Sequence, residues 1–174
     1  MVRWNYLSAF LLLFLLFASP TSEASMLSRQ YTSRWAPPGF FPLETTSFRI
    51  GSATNETGHY ASFNILGYLS EQIRHQLVSR GFKEDTHDNP NAIVIDLRIH
   101  LYQEGSAFGR WLGGGAGAAY AVVHASFRKQ EQPTGAELVT VSIIGAGGLF
   151  SAGAEKTVLE DAAHEIGAFL KEGD

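Results

Sequence analysis

The spacing of hydrophobic positions changes several times along the chain, and each change predicts a new element. Residues 43–50 are rich in β-branched and aromatic side chains, which is typical of a strand. A turn is predicted at residues 53–58. Between Ile65 and Leu77, apolar residues recur every three or four positions, so we expect an amphipathic helix that closes at Gly81.

Strict alternation of apolar and polar residues then predicts strands with one buried face. In the first of these strands, the odd-numbered positions of 93–101 are expected to be buried. The exposed face is expected to carry Asp96, Arg98, His100 and Tyr102. Residues 119–127 continue the alternation in a second strand. A turn is predicted at 133–135, and a third strand at 138–144.

The last part of the domain returns to helical spacing, from Val158 to Leu170, and ends at Gly173. The predicted order is therefore β-α-β-β-β-α. Because two helices with apolar stripes need a sheet face to bury them, we expect an α+β two-layer sandwich. Its sheet would be mainly antiparallel, with about four strands packed against the two helices, in a single domain over residues 43–172.

The region before this domain divides into two parts. Residues 25–42 contain consecutive prolines at 37 and 38 and are expected to form an extended lead-in. Residues 1–24 have the layout of a secretory signal, with Arg3 first and an apolar run afterwards. Small residues before the junction predict cleavage between Ala24 and Ser25. The alternative is a retained anchor, but the apolar run is shorter than the roughly 20 residues that cross a bilayer.

Composition limits the classes of partner and the means of stabilisation. The formal net charge is -4, and no basic stripe is present, so nucleic acid is not expected as a partner. The chain contains no cysteine, which rules out both a disulfide and the lipid-modified cysteine of a bacterial lipoprotein. We therefore expect an exported, unlipidated, periplasmic protein.

Glycine is abundant, with 18 residues, and it forms two clusters. The cluster at 145–148 follows a predicted strand and precedes a helix, as a dinucleotide-binding loop does. However, Phe150 takes the place of the third glycine, and the chain has no further strand with an acidic residue for the ribose. We interpret this cluster as a strand-to-helix turn and expect no cofactor.

The other glycine cluster lies between two predicted strands, next to an arginine and a tryptophan. Small residues let another backbone come close, and tryptophan is a frequent interface anchor. This segment is our candidate partner surface, although a plain loop would have the same composition. Membrane contact is also open, but the segment is too short and glycine-rich to span. The candidate residues are Arg110, Trp111, Gly113, Gly114, Gly115 and Gly117.

Three polar residues of the predicted strands offer the only candidate chemistry. His100 and His124 are expected to face each other on neighbouring strands near Asp96, which would suit a metal site or a general base. The alternative is the solvated face of a half-buried sheet, which we favour. No nucleophile elbow or complete metal-binding motif occurs, so we assign no catalytic and no metal-binding residue.

Several motifs together resemble a known family. They are Gly105, Arg110 before the glycine cluster 113–117, Thr134–Leu138, Gly147–Phe150, and upstream Asn55–Gly58 and Gly81–Phe82. In this order, over most of residues 43–172, the chain resembles the bacterial envelope family known as domain of unknown function 4410.

The resemblance implies a secreted or lipid-anchored envelope protein, similar in layout to periplasmic domains of envelope assembly and export machines. The family has no assigned activity, so it transfers no catalytic residue. The expected function is therefore non-enzymatic binding of another envelope component. Two alternatives remain: an enzyme that uses Asp96, His100 and His124, and a structural module that associates with itself.

Overall fold

The structure is a computed structural model, and it describes residues 28–44, 46–58, 61–86, 89–105, 117–129, 132–144 and 154–173. These residues form two helices and six strands. The strands are β1 (Ser28–Trp35), β2 (Ser47–Asn55), β3 (Lys83–Glu84), β4 (Ile93–Gln103), β5 (Ala119–Lys129) and β6 (Gln132–Ile144). The helices are α1 (Ile65–Ser79) and α2 (Ala154–Glu172).

All six strands belong to one sheet, in the order β1-β6-β5-β4-β2-β3. The neighbours from β1 to β4 are antiparallel, whereas β2 runs parallel to both β4 and β3. The α+β class with two helices is thus confirmed. The prediction of about four mainly antiparallel strands was wrong in detail, because the sheet is mixed and has a further strand at each edge.

Both helices cover the same face of the sheet and enclose the core. The helix-facing residues of β4 and β5 are buried as the alternation predicts: Ile93, Ile95, Leu97, Ile99, Ala119, Ala121, Val123, Ala125 and Phe127 are all fully buried. Leu69, Ile73 and Leu77 of α1 pack onto them, together with the apolar stripe of α2. Burial of these side chains is the main stabilising contribution, at about 25 cal/mol per Å² of apolar surface.

The predicted lead-in contains the first correction, because Ser28–Trp35 forms the edge strand β1. It pairs antiparallel with β6, from Ser28 opposite Ile144 to Trp35 opposite Glu137. The pairing ends just before the prolines, which cannot donate to a ladder. Two contacts tie β1 to α2: Gln30 donates to the Asp161 carbonyl at 3.1 Å, and Arg34 pairs with Glu165 at 3.1 Å.

A β-bulge supplies the second correction. The register between β4 and β5 shifts between Ile99 and Leu101, so one residue, His100, is extra on β4. After the shift, the exposed and buried positions of β4 are exchanged: Leu101 is 53% exposed and Tyr102 only 8% exposed. The simple alternation assigned these two side chains to the opposite faces.

Two predicted turns also lie in strands. The turn predicted at 53–58 starts too early, because β2 continues to Asn55. The turn predicted at 133–135 falls within β6, which already pairs with β5 where Lys129 stands opposite Gln132. At Gly135, an added Cβ would lie 1.8 Å from the Phe127 carbonyl oxygen, so glycine is required by the close approach of the two strands.

The helix boundaries agree with the sequence prediction. Asn64 caps α1, since its side chain accepts a hydrogen bond from the Gly67 N–H at 3.0 Å. Gly81 follows α1, and Gly173 follows α2, both with positive φ. Within the described residues, neither helix combines the length and the hydrophobicity needed to cross a membrane.

Candidate functional site

The face of the sheet turned away from the helices carries the candidate chemistry, and we call it the open face. On β4, β5 and β6 its side chains alternate with buried core residues, except at the bulge, where His100 and Leu101 follow each other. One end is apolar and the other is polar. The open face includes Tyr31, Ser33, Trp35, Asp96, Arg98, His100, Leu101, Tyr120, Val122, His124, Ser126, Arg128, Glu137, Val139, Val141 and Ile143.

The apolar end contains a row that crosses four strands. Tyr31 stands opposite Val141, Val141 opposite Val122, and Val122 opposite Leu101. The two valines are partly buried, while Tyr31 is 57% exposed and Leu101 is 53% exposed. Since neither helix reaches this face, the described residues leave the row largely uncovered.

A second aromatic residue of β1 extends the exposed apolar surface along the sheet edge. Trp35 is 51% exposed and lies four residues after Tyr31, so both side chains project from the same face. The sequence reasoning missed this pair because it treated the segment as a lead-in. The signal was present, however: Tyr31, Ser33 and Trp35 alternate with polar residues at the period of a strand.

Asp96 forms the centre of the polar end. Its Oδ1 accepts from the Ser52 backbone N–H at 2.7 Å and from the Ser52 hydroxyl at 2.8 Å. Its Oδ2 accepts from Arg128 Nε at 2.9 Å, and a second guanidinium nitrogen lies at 2.7 Å. Burial by itself would raise the pKa of Asp96, but the hydrogen bonds from Ser52 and Arg128 outweigh it and lower the pKa below its usual value.

The contact with Ser52 holds an irregular part of β2 in place. The register between β2 and β4 shifts between Ile50 and Ala53, and Gly51 and Ser52 lie within this shift. A Cβ on Gly51 would come 2.5 Å from Asp96 Oδ1, so the carboxylate occupies the space beside the glycine. Asp96 therefore connects β2, β4 and β5 and has a structural role.

The two histidines do meet on the open face, as the sequence predicted. The rings of His100 and His124 are stacked, with centroids 5.8 Å apart and 23° between their planes. His100 Nδ1 lies 2.8 Å from Glu56 Oε2. His124 Nε2 lies 3.7 Å from Glu137 Oε2, is buried and has no hydrogen-bond partner.

Asp96 lies apart from this histidine pair, and its carboxylate has other partners. Along β4 it is separated from His100 by the outward-facing Arg98, and alternate residues of a strand lie about 7 Å apart. Both oxygens of its carboxylate are already bound by Ser52 and Arg128. The described residues contain no group of three or more side chains placed to hold a metal ion.

An aromatic cluster near the start of α2 joins the two helices to the sheet. The Tyr68 hydroxyl donates to the Glu160 carboxylate, and the Tyr102 hydroxyl donates to the Glu155 carbonyl at 3.0 Å. The Phe63 ring meets both tyrosine rings edge to face. Burial, followed by the bond to Glu160, raises the pKa of Tyr68 to about 12, so this hydroxyl stays protonated at neutral pH.

A cavity of about 580 Å³ opens where the two helices end. Its apolar wall includes Phe41, Phe82 and Leu170, and Arg80 and Lys171 line its charged side. Arg80 Nη1 donates to the Gln76 carbonyl at 3.1 Å, and its Nη2 lies 3.3 Å from His164 Nδ1.

Most of the predicted glycine-rich surface lies outside the described residues. This applies to Arg110, Trp111 and Gly113–Gly115, to the cluster at 145–148, and to the predicted cleavage site at Ala24 and Ser25. Gly117 is described; it has a positive φ and lies two residues before the start of β5.

Comparison with known proteins identifies related folds only. No protein-family profile matches the sequence. No curated protein matches it either. Among solved structures, the PelC dodecamer from Paraburkholderia phytofirmans is similar, with a TM-score of 0.57, 11% identity, and coverage of 82% of this chain and 98% of that one. A single-substitution variant of the same dodecamer has a TM-score of 0.52 and 10% identity at the same coverage. At this identity the likeness shows a shared fold.

Proposed function

We propose that this chain is a non-enzymatic component of the bacterial cell envelope, exported and unlipidated, that works by binding other proteins and first of all copies of itself. The observation that carries the proposal is the edge strand β1, which presents two large aromatic side chains, Tyr31 and Trp35, that are more than half exposed. Aromatic residues that stay exposed on a regular element are frequent anchors of protein interfaces.

The backbone of β1 supports the same conclusion. Residues 30–35 are all exposed, and the outer edge of the strand has no partner among the described residues. Its eight residues contain no proline, and its pairing with β6 has no bulge, so it lacks two of the devices by which natural proteins protect edge strands. Its charged residues are two arginines, of which Arg34 pairs with Glu165. An open edge is a template for pairing with another chain.

The structural likeness favours a copy of the chain as the first partner. The similar solved structures are dodecamers, and this chain covers 98% of the PelC chain, so the likeness extends over the whole unit that assembles there. A domain of this fold is therefore compatible with membership of a closed homo-oligomer. The resemblance to domain of unknown function 4410 supports the same compartment, the cell envelope.

The geometry of the polar end supports a non-enzymatic role. Asp96 is bound by Ser52 and Arg128, and the histidine pair has Glu56 and Glu137 as its carboxylate neighbours within the described part of the chain. A hydrolytic mechanism would need a nucleophile or an activated water next to a base, with a group that stabilises the developing charge. The open face provides no such set among its described residues.

The glycine-rich segment remains our proposed contact for a second envelope component. Arg110 and Trp111 would make that contact, and Gly113–Gly117 would allow a close approach of backbone. Membrane contact of the same segment is the alternative. This part of the proposal depends on sequence alone.

Oligomeric state tests the proposal directly. The exported chain would be purified from the envelope fraction, and its mass measured by sedimentation velocity over a hundredfold range of concentration. We expect a species larger than a monomer that the double change Tyr31→Lys with Trp35→Ala dissociates. Val78→Lys is the matched control, because Val78 is 56% exposed on α1 and far in sequence from β1. A strict monomer at every concentration would refute self-association.

A further inference from the structure

We propose that copies of this chain join head to tail, with β1 of one copy adding antiparallel to the outer edge of β2 in the next. The inference rests on the proposed self-association and specifies its geometry. The first reason is that the sheet has two different edges. One edge is β1, and at the other edge β3 covers only the start of β2, by pairing with Ser47 and Phe48.

Among the described residues, the outer edge of β2 is therefore open over most of its length. No described strand pairs with that edge from Ile50 to Asn55, and most of the residues there are exposed. A strand arriving from a neighbouring copy would find unpaired backbone groups at this edge, as in β-strand addition. Each copy thus has one edge, β1, that can add to a neighbouring sheet, and another edge, β2, to which a neighbour's β1 can add.

Strand direction fits such a junction. β1 runs opposite to β6, which runs opposite to β5, and β5 runs opposite to β4. Because β2 is parallel to β4, β1 and β2 of the same copy point in opposite directions. Two copies placed side by side with their helices on the same face would therefore join β1 and β2 as an antiparallel pair, and the sheet would continue from copy to copy.

Charge favours a β1–β2 contact over a β1–β1 contact. β1 contains two arginines, Arg29 and Arg34, and no acidic residue, so two β1 strands would bring like charges together. The margin around β2 and β3 has four acidic and two basic residues: Glu44, Glu56, Glu84, Asp85, Arg49 and Lys83. Arg34 already pairs with Glu165, Glu84 with Arg74 and Glu56 with His100, so the complementarity is between the formal charges of the two strand margins and not between unpaired side chains.

The bulge in β2 determines what kind of assembly follows. A contact between two different surfaces repeats until a ring closes, or it continues as a filament. The irregularity between Ile50 and Ala53 adds local twist and bends the receiving edge, so successive sheets cannot extend as one flat ribbon. Such curvature is compatible with a closed ring or a helical filament, and the likeness to a dodecamer favours the ring.

Cysteine cross-linking tests the geometry, because the native chain has no cysteine. Ser33→Cys places a thiol on β1, and Thr54→Cys places one on β2, both on the open face as judged from their partners Val139 and Arg98. Each single variant and the double variant would be oxidised, and in parallel treated with a short bis-maleimide that tolerates a small difference in register. Thermal melting would confirm that each variant is folded.

The head-to-tail arrangement predicts a ladder of covalent multimers from the double variant and only monomers from either single variant. A covalent dimer from Ser33→Cys alone would show β1 pairing with β1 and overturn the inference. A double variant that stays uncrosslinked, although sedimentation finds an oligomer, would overturn it too while the proposed self-association stands. A monomeric chain in sedimentation would instead refute both.

Discussion

Asp96 binds Ser52 twice, through the backbone N–H at 2.7 Å and the hydroxyl at 2.8 Å, so that a residue of β4 fixes the irregular centre of β2. The same carboxylate pairs with Arg128 of β5. A residue that the sequence offered as a catalytic candidate thus holds three strands in register. Since β2 is the proposed receiving edge, this contact also fixes the shape of the surface that a neighbouring copy would meet.

Asp96→Asn is expected to lower the free energy of unfolding by about 1–3 kcal/mol at pH 7, the usual cost of leaving hydrogen-bonding groups without their partner. The pKa of Asp96 is lowered in the folded protein, so its contribution is complete above the ordinary aspartate pKa and is lost as pH falls through the lowered value. Urea unfolding at several pH values should therefore show the two proteins converging in acid. Glu137→Gln, at a side chain that is 55% exposed, is the control. A difference that persists unchanged at the lowest pH would contradict the assignment.

The bulge in β4 predicts an unequal pair of substitutions. Tyr102→Ala removes a side chain that is 8% exposed, along with its bond to the Glu155 carbonyl, and should cost about 3–5 kcal/mol. Leu101→Ala removes a side chain that is 53% exposed and should change stability by no more than about 0.5 kcal/mol. Chemical denaturation of the two variants at low protein concentration measures both. The reverse order would mean that the strict alternation of the sequence is right and the bulge is absent.

His124→Phe is expected to leave stability unchanged or to raise it slightly. His124 Nε2 is buried without a hydrogen-bond partner, and phenylalanine keeps a ring against His100 while removing that polar atom. Thermal unfolding at pH 7.5 would compare this variant with His100→Phe, which loses the 2.8 Å contact with Glu56 instead. A clear loss of stability in His124→Phe would show that Nε2 does have a partner.

Gly135→Ala should severely destabilise the hairpin of β5 and β6. The added methyl group would meet the Phe127 carbonyl oxygen at 1.8 Å, and a backbone atom cannot turn aside as a flexible side chain can. The expected result is loss of cooperative unfolding or a large fall in Tm. Ser126→Ala, at a partly buried position of the same hairpin, should melt within a few degrees of the native protein. Equal melting temperatures of both variants would contradict the close approach.

Trp111→Ala tests the proposed contact with a second envelope component. We expect it to reduce co-purification with that component while leaving Tm and the mass in sedimentation unchanged, because the proposed self-association uses β1. Capture from the envelope by tagged native and variant chains gives the comparison. Equal recovery of all bound proteins would exclude Trp111 as the anchor.

The sequence was sufficient for the elements whose pattern is regular. Apolar spacing in 65–77 and 158–170 predicted both helices, and alternation predicted β4 and β5, because burial on one face imposes a fixed period. It was insufficient where one residue breaks the period. Because His100 is an extra residue, the side chains of Leu101 and Tyr102 lie on the faces opposite to those predicted. No local signal distinguishes that bulge from continued alternation.

At the candidate site, too, the sequence predicted one contact and missed another. His100 and His124 meet on neighbouring strands as predicted, although the residue opposite His124 is Arg98 and His100 is the extra residue of the bulge. The role of Asp96 was missed, because its partner Ser52 lies 44 positions earlier in a strand whose end the sequence placed too soon. β1 was missed for a similar reason: its polar–aromatic alternation is short, and its partner β6 is more than a hundred residues away.

The long separation of β1 and β6 in the sequence affects the order in which the sheet can form. Ser28 opens the first strand, yet its partner is Ile144, close to the last helix. A chain released from its N-terminus onwards therefore emerges with β1 first and must hold it unpaired until nearly all later elements are out, since long-range strand pairing has to wait for the intervening chain. During that interval, β1 has no partner strand from its own chain. The proposed junction uses the outer edge of a β1 that is already paired with β6, so it would form between chains whose sheets are complete.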